Sequence, residues 1–483
     1  MFELPPKRKR GRSPGTDARP SGVHKRGKRI VSLLATLQRA DEPEDDAQAP
    51  ALLGVPGLTR QALDGCVVAF FGGPHHTLRL SQPADIFARR VRVMLYETAG
   101  LEVPKDLTGI EASSELLALA VAALGAGGAD GAAPALEVAL RERCLDLLTD
   151  AEYLAEPSRS VDAVEAANLL AETGPHATGI SHLGANPLTL DARGRAYPPE
   201  LALYHGLNMP RPSTAAGADE RRREDVFWAV WAADALRATC VGAQAALADT
   251  DVGWRHPPDD GVVPLARAAR LISARLLSAR ARCTGLRNED VRAAIAALDA
   301  LARATPADLA WLRATQDPAA PATMAALAAR NTLYIVCWAA ARADAAQHPR
   351  KLSARTLEAA EAGALHGADD MLALARTAVE RRLPVPPVVA ARCVAAAVFL
   401  IHRVAEDTHK ARPGRAGLVG NAEALVKSIA GMASCPDTPS VVAALRDALA
   451  AAQAPDAQPA LVADLVGVLA QHGVQTPFGA LEI

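Results

Sequence analysis

An all-α fold is what this 483-residue sequence predicts, on three observations. From about residue 55 the chain is rich in Ala and Leu, with Arg and Glu at intervals that suit amphipathic helices. Runs of alternating β-branched residues are almost absent. Pro, Gly and Asp punctuate the chain every ten to thirty residues or so, roughly the rhythm of helices joined by short loops. No fixed-period repeat marks a solenoid.

Taken in order, the expected helices are 58–71, 83–98, 112–125, 134–154, 160–173, 219–247, 262–283, 288–303, 320–344, 353–380, 386–409, 420–433, 439–452 and 457–472. The turn after the first is Gly72-Gly73-Pro74, followed by His75-His76. Gly125, Gly127, Gly128 and Gly131 read as a flexible link between the third and fourth helices, because no strand precedes them and no Lys-Ser/Thr follows, as a phosphate loop requires. Six prolines make 175–215 the most irregular zone, read as loops around one short helix near 198–207.

Half of the residues are hydrophobic, enough for a sizeable core, which excludes a wholly disordered or collagen-like chain. Only 4% are aromatic. Seven cysteines lie at wide separations, without the close pairs of a zinc or redox site, and are expected as buried free thiols in a reducing compartment. The longest uncharged apolar runs, Leu116 to Ala129 and Cys393 to Ile401, are shorter than the roughly 18–20 residues that span a bilayer, so no membrane association is expected.

The net charge of −2 hides an asymmetry. Residues 1–29 carry ten Lys or Arg against Glu3 and Asp17, a net +8, so the other 454 residues sum to −10. Residues 1–50 read as a disordered arm. Within it, Lys7, Arg8, Lys9 and Arg10, then Lys25, Arg26, Lys28 and Arg29, form two basic clusters with the spacing of a bipartite nuclear localisation signal. An import receptor is the implied partner and the nucleus the implied location. The same cations could contact DNA phosphates without reading sequence.

Residues 219–247 are the most informative stretch. On a helix, Phe227, Val230, Trp231, Asp234, Ala238 and Val241 share a face, with Asp234 near its centre. A carboxylate there is costly unless paired, so Asp234 is expected to meet an Arg or capping amides. Arg221, Arg222 and Arg223 could line an anionic site, but they stand in the first turn, unfavourably for the helix dipole, and are expected instead to pair with carboxylates such as neighbouring acids.

The arginine run followed by Phe227, Trp228, Trp231, Asp234 and Arg237, then Gly242 and the exit Asp249-Thr-Asp-Val252 before Pro257-Pro258, resembles the central signature of the middle homology region of fungal binuclear zinc cluster transcription factors. Ala202 to Asn208, containing Gly206 and Leu207, is similar to an upstream element of that family, and Leu116 to Ala126 resembles its early apolar helix. Together these segments cover roughly residues 85–260. The resemblance implies a regulatory domain over 51–305, with a C-terminal helical region, 306–483, packed on it. It also implies transcription regulation in the nucleus, DNA and co-regulator proteins as partners, and a possible small-molecule effector. Gly242-Ala243-Gln244 stands where the family has Gly-Arg-Pro, and Asn208 where it has His. The six closely spaced cysteines that would hold zinc and dock on DNA are missing from this sequence, so zinc and DNA binding are implied by the family alone.

Other chemistry is weakly marked. His402, Glu406 and His409 share a helix face but read as a polar helix end, and Asp369-Asp370 lacks the third acid of a terpene-cyclase metal cluster. No catalytic residue, metal site or cofactor is assigned, and the expected function is non-enzymatic. The rival readings are a helical protein-interaction scaffold without DNA binding and, further off, an all-α enzyme.

Overall fold

The computed structural model describes residues 52–72, 80–126, 134–173, 198–211, 218–254, 262–281, 284–304, 308–314, 320–383, 385–408, 415–432, 438–454, 461–472, 474 and 476–478. The arm, the His75-His76 turn, His409 and Pro257-Pro258 lie outside these. Among the described residues there is no strand, and the all-α expectation holds.

The helices are α1 (Arg60–Gly72), α2 (Ala84–Thr98), α3 (Glu115–Ala126), α4 (Pro134–Thr149), α5 (Ala151–Ala155), α6 (Ser160–Thr173), α7 (Pro198–Tyr204), α8 (Ala218–Cys240) and α9 (Val262–Ile272). They continue with α10 (Ser278–Ala281), α11 (Asn288–Ala304), α12 (Asp308–Ala314), α13 (Ala320–Gln347), α14 (Ala354–Glu380), α15 (Pro387–Thr408), α16 (Arg415–Gly431), α17 (Thr438–Gln453) and α18 (Leu461–Gln471).

Four departures from the expected helices stand out, two of them with a local cause. The helix foreseen over 134–154 is two, because the Asp150 carboxylate accepts the amides of Glu152 and Tyr153 (2.9 and 3.1 Å) and so starts α5 afresh. The helix foreseen over 219–247 ends at Cys240. Gly242 takes φ +79°, and the Gly242 and Ala243 amides bond back to Thr239 and Ala238, a left-handed stop that glycine adopts without strain. The helix foreseen over 262–283 contains a π-helical turn, Ser273–Leu277. The short helix α12 has no counterpart among the expected helices.

Gly125 is not part of a flexible link. It lies inside α3, fully buried, and a Cβ built on it would stand 1.8 Å from the Cys66 carbonyl oxygen of α1. The two helices therefore touch backbone to backbone, which only glycine allows. α3 is buried all round, packed between α1, α4 and α6.

α13 and α14 form the longest antiparallel contact, with α15, α16 and α17 stacked beyond them. α13 also reaches α8, α9 and α11, so one hydrophobic cluster runs from Leu53 to Phe478 across residue 305. Two helical segments, Ala322–Gln347 and Val388–Glu406, are long and apolar enough to cross a membrane by length and composition. The sequence reading missed them because scattered charges interrupt each run. The first is 89% buried inside the protein, which makes it a core helix.

The described cysteines Cys66, Cys144, Cys240, Cys337 and Cys393 are all buried thiols outside any disulfide. Burial pushes the Cys66 thiol up to about 11, and Cys144 and Cys393 up to about 12, so at neutral pH they are inert protonated thiols.

Candidate functional site

The signature helix α8 lies across the N-terminal half, in contact with α6, α7, α9 and α13. Phe227, Trp228, Val230 and Trp231 are all buried. Their rings form an edge-to-face ladder, Phe227 to Trp228 at 5.6 Å and Trp228 to Trp231 at 5.3 Å between centroids. The burial is wider than one face, since Trp228 lies off the stripe that the 3.6-residue period marks out.

Asp234 is fully buried and finds both partners foreseen for it. Its carboxylate accepts the amides of Ala246 and Leu247 at 3.1 and 3.0 Å, and Arg270 of α9 donates to it at 3.3 Å. The reversal at Gly242 is what returns those two amides to the helix. Arg270 also donates to the carbonyls of Leu247 and Trp231, and its guanidinium lies 4.4 Å from the Trp231 ring centroid. Burial pulls the Arg270 guanidinium below its ordinary value, and Asp234, Asp249 and Asp251 oppose that pull.

At the other end of α8 the arginines divide. Arg221 is exposed. Arg222 donates to Asp162 and, at 2.7 Å, to Glu165, both on α6 and both almost wholly buried. Arg90 of α2 shares Asp162 at 3.3 Å and also holds Gln82. The Ser114 amide, at the entry to α3, donates to the second oxygen of Asp162 at 2.6 Å. Burial would raise the Asp162 carboxyl, but Arg222 and Arg90 outweigh it and hold the group below its ordinary value. Burial likewise opposes the charge of Arg222, and Glu165 and Asp162 overcome it. Two buried carboxylates are thus matched by two guanidiniums, which satisfies the rule that buried charge must be paired.

Arg223 is buried and takes a different route, donating to the Gly206 carbonyl at 2.8 Å, with Glu220 3.6 Å away. Gly206, at φ +62°, ends α7 in the left-handed conformation, and Leu207 is buried behind it. The Leu207 carbonyl accepts the Trp254 indole N–H at 2.7 Å, and Asn208 exchanges bonds with the exit segment, through the Gly253 amide and the Asp251 carbonyl, at 2.8 Å each. Arg237 donates to Asn168 of α6 at 3.2 Å.

Asp162 and Glu165 were the residues that sequence reasoning missed. Their signal was present: two acids three residues apart in a helix that otherwise reads Val161, Ala163, Val164, Ala166 and Ala167, hence acids on a buried face. The other candidates are spoken for by neighbours. Glu406 pairs with Arg342 and Arg403, with His402 at 3.9 Å. Asp370 pairs with Arg330 at 3.2 Å, while Asp369 accepts from Asn421 at 2.8 Å. Among the described residues no group of three or more His, Cys, Asp or Glu could hold a metal, and the described cysteines do not fit a zinc cluster. Of the basic signal, Lys7 to Arg10 and Lys25 to Arg29 lie outside the described residues. Compared with known proteins, the chain matches no protein-family profile, no curated protein and no solved structure.

Proposed function

We propose that the chain supplies the helical regulatory region of a transcription regulator of the fungal zinc-cluster type, carried to the nucleus by its basic arm. One observation carries this reading. The segments that bear the resemblance contact one another, in part through the residues that define them and in part through neighbours such as Trp254 and Asp162. Arg223 reaches Gly206, Trp254 reaches Leu207, Asn208 reaches Asp251, and Arg222 reaches Asp162, which holds the start of the apolar helix α3.

On this reading the helical body is non-catalytic. It changes activity by shifting between conformations that expose or mask surfaces for co-regulators, under the influence of an effector with different affinity for each. DNA contact beyond the arm belongs to the family and not to the described residues of this chain. Fusing the full chain to a heterologous DNA-binding domain tests the proposal: reporter output should change, and should change again when α8 is disrupted by Asp234→Asn. Unaltered output from every fusion would leave a helical scaffold as the better account.

A further inference from the structure

The geometry points to a binding site for a small organic polyanion, carrying carboxylate or phosphate groups, in the cleft between the π-helical turn and the start of α11. The cleft has a volume of about 820 Å³, well within the range of small-molecule sites. Ala274, Ala279 and Leu286 supply apolar wall, and the charged groups around it are Arg275, Arg287, Lys351, Glu289 and Asp290.

The charge balance favours an anion. Asp290 is buried, and it alone serves two guanidiniums: Arg287 at 2.8 Å and Arg275 at 3.3 Å. One carboxylate between two cations leaves a positive charge over. The side chains of Arg275 and Arg287 are 47% and 73% exposed, so they retain donors for a ligand. Lys351 donates to a neutral group, the Thr284 carbonyl at 2.6 Å, and pairs with no acid among the described residues. Glu289 returns one negative charge, so the described lining residues sum to +1.

The wall is also built to hold its shape. Gly285 takes φ +71°, a conformation side chains rarely adopt, and packs directly against the Lys351 and His348 side chains, where a Cβ would stand 2.6 and 3.0 Å from them. Asn288 ties the turn before α14 to α11, donating to the Lys351 carbonyl at 3.3 Å and accepting the Ser353 amide at 2.9 Å. Arg275 stands within the π turn itself and reaches Asp290 of α11 from there.

That the ligand is a regulator rests on the function proposed above; that it binds does not. Arg275 lies five residues past Arg270, the partner of Asp234, in the π-helical turn that continues α9, which connects the cleft to the signature helix through Arg270.

Calorimetric titration of the full chain with pyrophosphate and with citrate, at low salt, tests the site. At least one should bind saturably, and the preference between them tells phosphate from carboxylate chemistry. Lys351→Gln and Arg275→Gln both leave Asp290 paired with Arg287, and each should weaken binding about tenfold. Glu289→Gln, which removes an exposed negative charge, should tighten it about threefold. No saturable binding of either probe would overturn the proposal. So would binding indifferent to all three substitutions, the behaviour expected if the +8 arm collects the anion. Unchanged thermal melting of the variants keeps the comparison on binding. Saturable binding with no effect of the probe on the reporter fusion would uphold the site and refute its regulatory role.

Discussion

Replacing Asp234 by Asn isolates the bond set that closes the signature helix onto α9. The carboxylate serves two amides and one guanidinium with no access to solvent. An Asn oxygen can keep one amide, but its NH₂ then faces the other amide, donor against donor, and the Arg270 charge loses its buried counter-ion. Arg270 retains the Leu247 and Trp231 carbonyls, the Trp231 ring, and Asp249 at 3.7 Å, so part of its environment survives. Breaking a buried pair from one side costs about 3–5 kcal/mol. The surviving contacts place Asp234→Asn near the lower end, about 3 kcal/mol. Urea unfolding followed by tryptophan fluorescence reads this directly, since Trp228 and Trp231 sit in the same helix. The double change Asp234→Leu with Arg270→Met should cost clearly less than the two single changes added together, because neither charge is then left alone. A loss below about 1 kcal/mol for Asp234→Asn, or strict additivity in the double, would refute the argument.

Gly125→Ala should prevent folding or cost more than about 3 kcal/mol, because two backbones must separate to admit one methyl; soluble yield and melting temperature report it. The Asp162 carboxyl is held below its ordinary value in the fold, so the unfolded chain takes up the proton more readily. Its stabilisation is complete at neutral pH and fades as pH falls below the unfolded value of about 3.9 toward the lower folded one. Urea midpoints at several pH values should show that acid-side loss in the native protein and less of it in Asp162→Asn; equal slopes would contradict the assignment. Deleting residues 7–29 should abolish nuclear accumulation of a fluorescent fusion, and unchanged localisation would remove the import signal.

The helices most legible in the sequence were those with sustained periodicity and polar ends, such as Ser160–Thr173 and Ala354–Glu380, whose limits were anticipated to within a residue. Boundaries failed where a single side chain or dihedral decides, as at Asp150 and Gly242, because a periodic pattern runs on through a cap. The pairing of Asp234 could be anticipated, since a carboxylate in an apolar stripe must be matched somewhere. That its partners are Arg270 and two returning amides could not, because they depend on a chain reversal. The same holds for Arg222: acid partners were foreseen, but Asp162 and Glu165 lie some sixty residues upstream, and only the fold brings them to the start of α8. Gly125 shows the opposite error, where a glycine chosen for close approach looks like a glycine chosen for freedom.

The anchoring of α8 at both ends has a kinetic consequence. Its N-terminal turn is tied to α6 through Arg222 and its C-terminal half to α9 through Asp234, with its aromatic ladder buried between. The stretch between Arg222 and Asp234 cannot open without exposing an unpaired buried charge. Its amide hydrogens should therefore exchange with solvent only when the whole domain opens, while terminal elements such as α18 exchange through smaller, cheaper openings. In an exchange experiment α8 would be the last segment to take up deuterium, the slow centre around which faster regions of the protein are measured.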